Sequence, residues 1–283
     1  MSKIKSKIHY YPDGDLIIIV DLRVFCVHKT VLSLASTVFK DMISNASPTP
    51  IDDQLIIEIT INDESAKDFE EVLSFIYPSV YITINWDNLV EMFRLSDKFK
   101  MQVIFMSAKT FAMEKLQENP LLFLSLSEKY RLKKLFKEAS KLIIDDFIEY
   151  KEEPSFQKLS NETILALYKK HHEYVLNLHH LDVEDLKRDY TPTIKCNCVT
   201  DETDKLFKRL KKIKRFETPT PSKTYKILCT ISDQESKGFS CIINFFNVHL
   251  PNRFKEIFGK VESLDSERSN DNANRYLFIE MEG

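Results

Sequence analysis

Glycine is nearly absent from this chain of 283 residues: Gly14, Gly238, Gly259 and Gly283 are the four. A phosphate-cradling loop needs clustered glycines so that backbone amides can close on the ligand, so a P-loop or a dinucleotide-binding fingerprint is excluded. Cysteine is also sparse. Cys26, Cys196, Cys198, Cys229 and Cys241 make an odd count, too few for a disulfide framework in a chain of this length, and are read as reduced thiols. Neither sign of charge dominates, with 40 basic against 43 acidic residues and a net charge of −3, so no global field draws the chain to nucleic acid or anionic lipid. No apolar run approaches the ~20 residues that span a bilayer, and the opening MSKIKSKIHYYPDGD has no signal-like apolar core. An intracellular protein, cytoplasmic or nuclear, is the expectation.

Catalytic frames are missing too. There is no Gly-x-Ser-x-Gly elbow, no His-Glu-x-x-His helix and no paired carboxylates in a recognisable frame, so an enzyme is not expected, nor is a cofactor.

The stretch Asp15 to Ile43 is the richest in pattern. Leu16 to Val20 is a continuous apolar and β-branched run, Asp21 opens a tight polar break, and Val24 to Val27 returns as a second strand, which predicts a β-hairpin. The period then changes from 2 to ~3.6, with Val31, Ala35, Val38 and Met42 on one helical face and Leu32 and Phe39 widening the stripe. Ser36 separates two short helices and is placed to cap the second.

Further on, Leu55 to Ile61 reads as a third strand, and Phe69, Leu73, Phe75, Ile76 and Tyr77 as a third helix and its end. Asn85 or Asp87 can cap a helix whose inward stripe is Leu89, Met92, Phe93, Ser96 and Phe99, and another helix begins near Met101. The 14 residues before Asp15 leave room for a strand at Lys3 to Tyr10.

Asp15, Phe25, His28, Val31, Leu32, Ser36, Phe39 and Met42, followed by these later elements up to Met113, resemble the BTB/POZ domain. The resemblance implies an α+β fold, a short three-stranded sheet capped by helices over residues 13–116, and a protein-interaction function. It implies protein partners, self-association as a homodimer, and a cullin-type ubiquitin-ligase scaffold as a partner of an adaptor. Asp15 and Lys29 match the acidic and basic positions that meet at the family's dimer interface; the competing reading is a strand cap and a solvated helix-start lysine. Phe39, Met42, Ile43, Tyr77 and Phe93 fall in the segments where the family docks partners. His28 matches the family histidine, and its expected role is structural, a ring bonded to nearby backbone where strand becomes helix. The hydrophobic-x-Glu motif of cullin-binding members does not follow the second helix, where Met42 to Pro48 reads MISNASP.

Asn119-Pro120 looks like an N-cap with a first-turn proline and opens a helical run carrying Leu122, Leu126, Leu135, Ala139, Leu142, Ile143 and Phe147. Ser160 is a second cap, before a long helix from Glu162 to His180 with Ile164, Leu165, Leu167, Tyr168, Val175 and Leu178. In position this segment, residues 119–188, resembles the helical BACK-like extension that follows many BTB domains. Residues 191–283 predict a small α+β unit, with strands at Thr224 to Ile231, Phe239 to Val248 and Tyr276 to Met281, a short helix at Arg253 to Phe258, and a surface loop at Ser263 to Asn274.

Two clusters invite chemistry. Lys208, Arg209, Lys211, Lys212, Lys214 and Arg215 form a basic run that reads as a solvated amphipathic helix, because Leu206, Leu210 and Ile213 make a stripe and acids precede it; import signalling and nucleic-acid contact are the alternatives. A nuclear or transcriptional regulator is accordingly the alternative function, although nucleic acid is not the expected partner. His171, His172, His179 and His180 with Cys196 and Cys198 suggest zinc, but His172 and His179 lie about 10.5 Å apart along a helix axis and Cys-x-Cys is not a zinc knuckle. Core cysteines are the preferred reading, and no metal site is expected.

Overall fold

The computed structural model describes residues 3–51, 54–77, 81–180, 220–224 and 277–281. The chain divides into two compact units, the first ending at Lys115. The basic run 208–215, the cysteines beyond Cys26 and the expected elements between 225 and 276 lie outside the described residues. Among the described residues no helix is long and apolar enough to cross a membrane.

The first unit is built on a sheet of five strands, β1 (Ile4–Tyr10), β2 (Leu16–Val20), β3 (Arg23–Val27), β4 (Thr49–Ile51) and β5 (Gln54–Ile61), in the order β1-β3-β2-β5-β4. The three central strands are those the sequence predicts; β1, in the place where Lys3 to Tyr10 left room for a strand, and β4 widen the sheet beyond those three. β2 pairs antiparallel with β3 through the hairpin and parallel with β5. A parallel neighbour demands a crossover, here supplied by α1 (Lys29–Ala35) and α2 (Thr37–Asn45). Asp21 turns the hairpin at φ 50°, in the left-handed region that Asp tolerates better than most residues. Its carboxylate then accepts from the Ala66 amide at 3.0 Å, holding the first turn of α3 (Ala66–Ile76).

β2 is buried along its whole length, which is why it reads as a continuous apolar run rather than an alternating one. Leu16, Ile18 and Val20 face the main core with Phe25, Leu32, Phe39, Phe69 and Leu73, while Ile17, Ile19 and Cys26 face a smaller cluster on the other side. Gly14 passes so close to β3 that an added Cβ would come within 2.8 Å of the Cys26 sulfur. Phe39, Phe69 and Phe99 meet ring against ring in the middle of the main core.

Ser36 is the boundary between α1 and α2. Its hydroxyl oxygen accepts from the Phe39 amide at 3.0 Å and its O–H donates to the Phe99 carbonyl, so one side chain caps α2 and ties it to the end of α4 (Leu89–Lys98). The N-cap of α4 is Asn88 rather than Asn85 or Asp87; Asn85 instead accepts from the amides of Asp87 and Asn88 and so shapes the turn before the helix. The expected stripe of Leu89, Met92, Phe93, Ser96 and Phe99 is buried. α5 (Gln102–Glu114) completes this unit.

The second unit contains α6 (Pro120–Lys129), α7 (Lys133–Asp145), α8 (Phe147–Tyr150), a single 3-10 turn at Phe156–Lys158 and α9 (Asn161–His180). Asn119 caps α6, accepting from the Leu122 amide at 3.1 Å, and Ser160 caps α9, accepting from the Thr163 amide at 3.1 Å. The Ser160 side chain is in turn held by Glu128 of α6, which also accepts from the Thr163 hydroxyl at 2.6 Å. The inward stripe of α9 is Thr163, Leu167, Tyr174 and Leu178; Leu165 is exposed, and Tyr168, partly exposed, sets its ring edge-on to Phe147 and Phe156.

Two later stretches lie against α7. Pro221–Thr224 is a helical turn. Leu277–Met281 is not the expected strand, yet Leu277 and Ile279 are buried, the Ile279 amide donates to the Ser140 hydroxyl at 3.2 Å, and Lys137 sits 4.0 Å over the Phe278 ring.

Candidate interaction site

The loop from β1 to β2 and the start of α1 bring together most of the polar residues that the first unit's sequence singles out. The Asp15 carboxylate accepts from the Lys29 amide at 2.8 Å, while the Lys29 ammonium stands 3.9 Å from its other oxygen. α1 has His28 at its N-cap with no side-chain cap of its own, so Asp15 supplies the acceptor from fourteen residues upstream. An ion pair this exposed is worth ~0–1 kcal/mol, and the carboxylate's contribution is chiefly the cap.

His28 is structural, but its partner differs from the expected backbone. Its amide donates to the Tyr77 hydroxyl at 2.8 Å and its Nδ1 lies 3.2 Å from the same oxygen. Burial pushes the Tyr77 phenol up to about 12, so it keeps its proton and can donate it to Nδ1. The other ring nitrogen, Nε2, points at Asp13, 3.4 Å away. Tyr77 stacks on Tyr11 at 4.8 Å and leans on His9 at 5.7 Å.

His9, on β1, is buried. Ser74 donates to the Glu70 carbonyl, so its oxygen accepts from His9 Nε2 at 2.9 Å, leaving Nδ1 to accept from the Tyr11 hydroxyl at 3.2 Å. Burial lowers the ring's affinity for a second proton, opposed by the Glu70 charge. Glu70 itself accepts from the Ser6 hydroxyl at 2.6 Å and from Arg23 at 2.8 Å. β1, β3 and α3 are thereby joined by one polar network.

A second network was not legible in the sequence. Glu64, just before α3, has a side chain only 1% exposed, and its carboxylate accepts from Arg94 at 3.0 Å and from Lys98, both on α4. Glu91 holds the same guanidinium at 2.7 Å. These hydrogen bonds, Arg94 first, keep the Glu64 carboxyl below its ordinary range against the opposing cost of burial.

The expected docking residues divide by depth. Phe39, Tyr77 and Phe93 are core side chains: the apolar periodicity that placed them in the docking segments belongs to the inward faces of α2, the end of α3 and α4. Met42 and Ile43 are partly buried against the same core and retain some outer surface, as do Asp15 and Lys29. The outermost apolar side chains were not singled out by sequence. Leu34 on α1 is 84% exposed, and Val103, 74% exposed, shares a face of α5 with Met106 one turn on. A leucine in water is not distinguishable by residue type from one in the core. Among the described residues no group of three or more His, Cys, Asp or Glu could hold a metal.

A family model described as BTB/POZ domain matches residues 12–116. BTB and MATH domain-containing protein 36 of Caenorhabditis elegans is 26% identical over 159 residues, 55% of this chain and 48% of that protein. The chain thus spans about half the length of this curated relative. The solved BTB domain of zebrafish PATZ1 is 22% identical, covering 36% of this chain and 76% of that one with a TM-score of 0.30. With the hairpin, the α1-α2 crossover and the His28–Tyr77 junction in place, residues 12–116 are a BTB/POZ domain.

Proposed function

We propose that the protein is a non-enzymatic interaction module, an adaptor or scaffold whose BTB/POZ domain pairs with a second copy or links a partner to a cullin-type ubiquitin-ligase scaffold. The observation that carries this reading is the BTB/POZ match itself, over a unit whose core is closed while apolar side chains remain on its outer helices. Single exposed apolar residues are ordinary on any surface. Val103 and Met106, on one helical face, together with Leu34 and the outer edges of Met42 and Ile43, are the residues we assign to docking. Asp15 and Lys29 would tune the register of a self-association without driving it.

Light scattering of the full chain, alone and titrated with the N-terminal region of a BTB-binding cullin, tests the reading. A stoichiometric complex at micromolar concentration identifies an adaptor, and a concentration-dependent dimer identifies a self-associating scaffold. Leu34→Asp or Val103→Asp is expected to abolish whichever is seen. The mass of a lone chain in both experiments overturns the proposal.

A further inference from the structure

β1 lies at one edge of the sheet, and its burial reverses that of an ordinary strand: Ser6 and His9 are buried, while Ile4 and Ile8 are 64% and 46% exposed. No residue of β1 is in the main core, and Tyr10 packs against the smaller cluster from its margin. The ladder to β3 is also interrupted. Pairing shifts register between Lys5 and Tyr10, and the amides of Ile8 and His9 donate to the Ser6 hydroxyl oxygen at 3.2 and 3.0 Å. At the two ends the amides of Ile4 and Tyr11 donate to the carbonyls of Leu22 and Cys26 at 2.7 and 2.9 Å. Between them the strand is fastened to α3 by two polar contacts, Ser6 to Glu70 at 2.6 Å and His9 to Ser74 at 2.9 Å.

Of these fasteners His9 is the one whose charge changes near neutral pH. Glu70, Ser74 and Tyr77 face its ring from α3 and its C-cap, and Tyr11 from the end of β1. Arg23 of β3 reaches the site through Glu70, and His28 lies against the far sides of Tyr11 and Tyr77. Glu70 is the anion among these groups, and Arg23 and Ser6 already engage it. Burial therefore outweighs its charge, and the folded ring takes a second proton less readily than imidazole in water. That proton would sit on Nδ1, where the Tyr11 hydroxyl now donates.

We propose that β1 is an acid-released strand: a second proton on His9 detaches Ile4–Tyr10 from β3 and α3, while β2, β3 and β5 stay paired and the edge of β3 is uncovered. Once out of the site the ring holds both protons in water. Because β1 carries little apolar surface into the core, opening it costs far less than unfolding the domain. The closed strand is fully stabilised above the ordinary histidine value near 6.5 and is lost as pH falls through the lower folded one.

Hydrogen exchange of the full chain, expressed as protection relative to intrinsic exchange, tests this at about pH 7.5 and about pH 5, either side of that ordinary value. Protection of residues 4–11 is expected to fall on the order of tenfold at the lower pH, with β2 and β5 remaining well above it. His9→Gln, which keeps a donor for Ser74 and does not titrate, should equalise β1 protection at the two pH values, whereas His28→Gln should leave the fall in place. In the unaltered chain the midpoint of the His9 ring titration, followed by proton NMR, should coincide with that of the loss. The proposal is overturned by β1 protection that does not change with pH, or by β1, β2 and β5 sharing one protection at the lower pH. A fall that persists in His9→Gln, or a ring midpoint apart from that of the strand, overturns it equally.

Discussion

Glu64 in the first unit and Asp145 in the second are both carboxylates taken out of water, and their side chains tie together different parts of the chain. Glu64 is met by two cations of α4, residues 30 and 34 positions further on. Asp145 accepts from the neutral amide and hydroxyl of one serine 77 positions away. A carboxylate answered by charge fixes where two neighbouring helices sit, and it responds to pH. The first arrangement clamps neighbouring elements of one domain, whereas the second ties the turn at Ser222 to the end of α7.

The largest break in this comparison comes from reversing the charge at the first site. Glu64→Lys puts a third cation into a position almost without solvent, beside Arg94 and Lys98, and is expected to cost about 3–5 kcal/mol. Chemical denaturation should show the loss in hydrogen exchange of α3 and α4. Glu64→Gln keeps one acceptor oxygen but removes the charge and turns the other oxygen into a donor; Arg94 and Lys98 are 35% and 44% exposed and can turn to water, so about 1–2 kcal/mol is expected. If Glu64→Gln proves as damaging as Glu64→Lys, shape rather than charge holds the site.

The pH dependence separates two groups in the first unit. The Glu64 carboxyl titrates lower folded than unfolded, so its stabilisation is complete above the unfolded value near 4.3 and is lost as pH falls through the folded one. His9 also titrates lower folded than unfolded, because burial penalises its cation. Its contribution is present above the unfolded value near 6.5 and is lost as pH falls through the lower folded one. Thermal unfolding should therefore weaken in two steps on acidification. His9→Gln, which keeps a donor for Ser74, should erase the upper step and leave the lower. An upper step that survives His9→Gln assigns it to another group.

How much of this could be read from the chain follows from how local each contact is. The hairpin, the Ser36 cap, the Asn119-Pro120 start of α6 and the Ser160 cap all lie within a few residues of their signals, and each is where the pattern puts it. The family resemblance added the order of elements and so the first unit's fold. Periodicity reports that a face is apolar without saying what covers it, which is why Phe39 and Phe93 read as docking residues but are core. The His9–Ser74, Glu64–Arg94 and Asp145–Ser222 contacts join residues 65, 30 and 77 positions apart. Nothing in a single sequence distinguishes those partners from their equally polar neighbours.

The smallest expected effect is at the second carboxylate. Asp145→Asn retains a carbonyl oxygen that can accept from the Ser222 amide, and its new amide hydrogens face a hydroxyl that can rotate to accept them. Both Ser222 clasps survive with donor and acceptor exchanged at one of them, so the cost that passes through Ser222 is expected to stay under about 1 kcal/mol. Exchange of the Ser222 amide should slow or quicken by less than about fivefold, with no new dependence on salt. A loss as large as that of Glu64→Lys, removed by high salt, would show that charge holds Asp145 as it holds Glu64, and the contrast between the two units would fall.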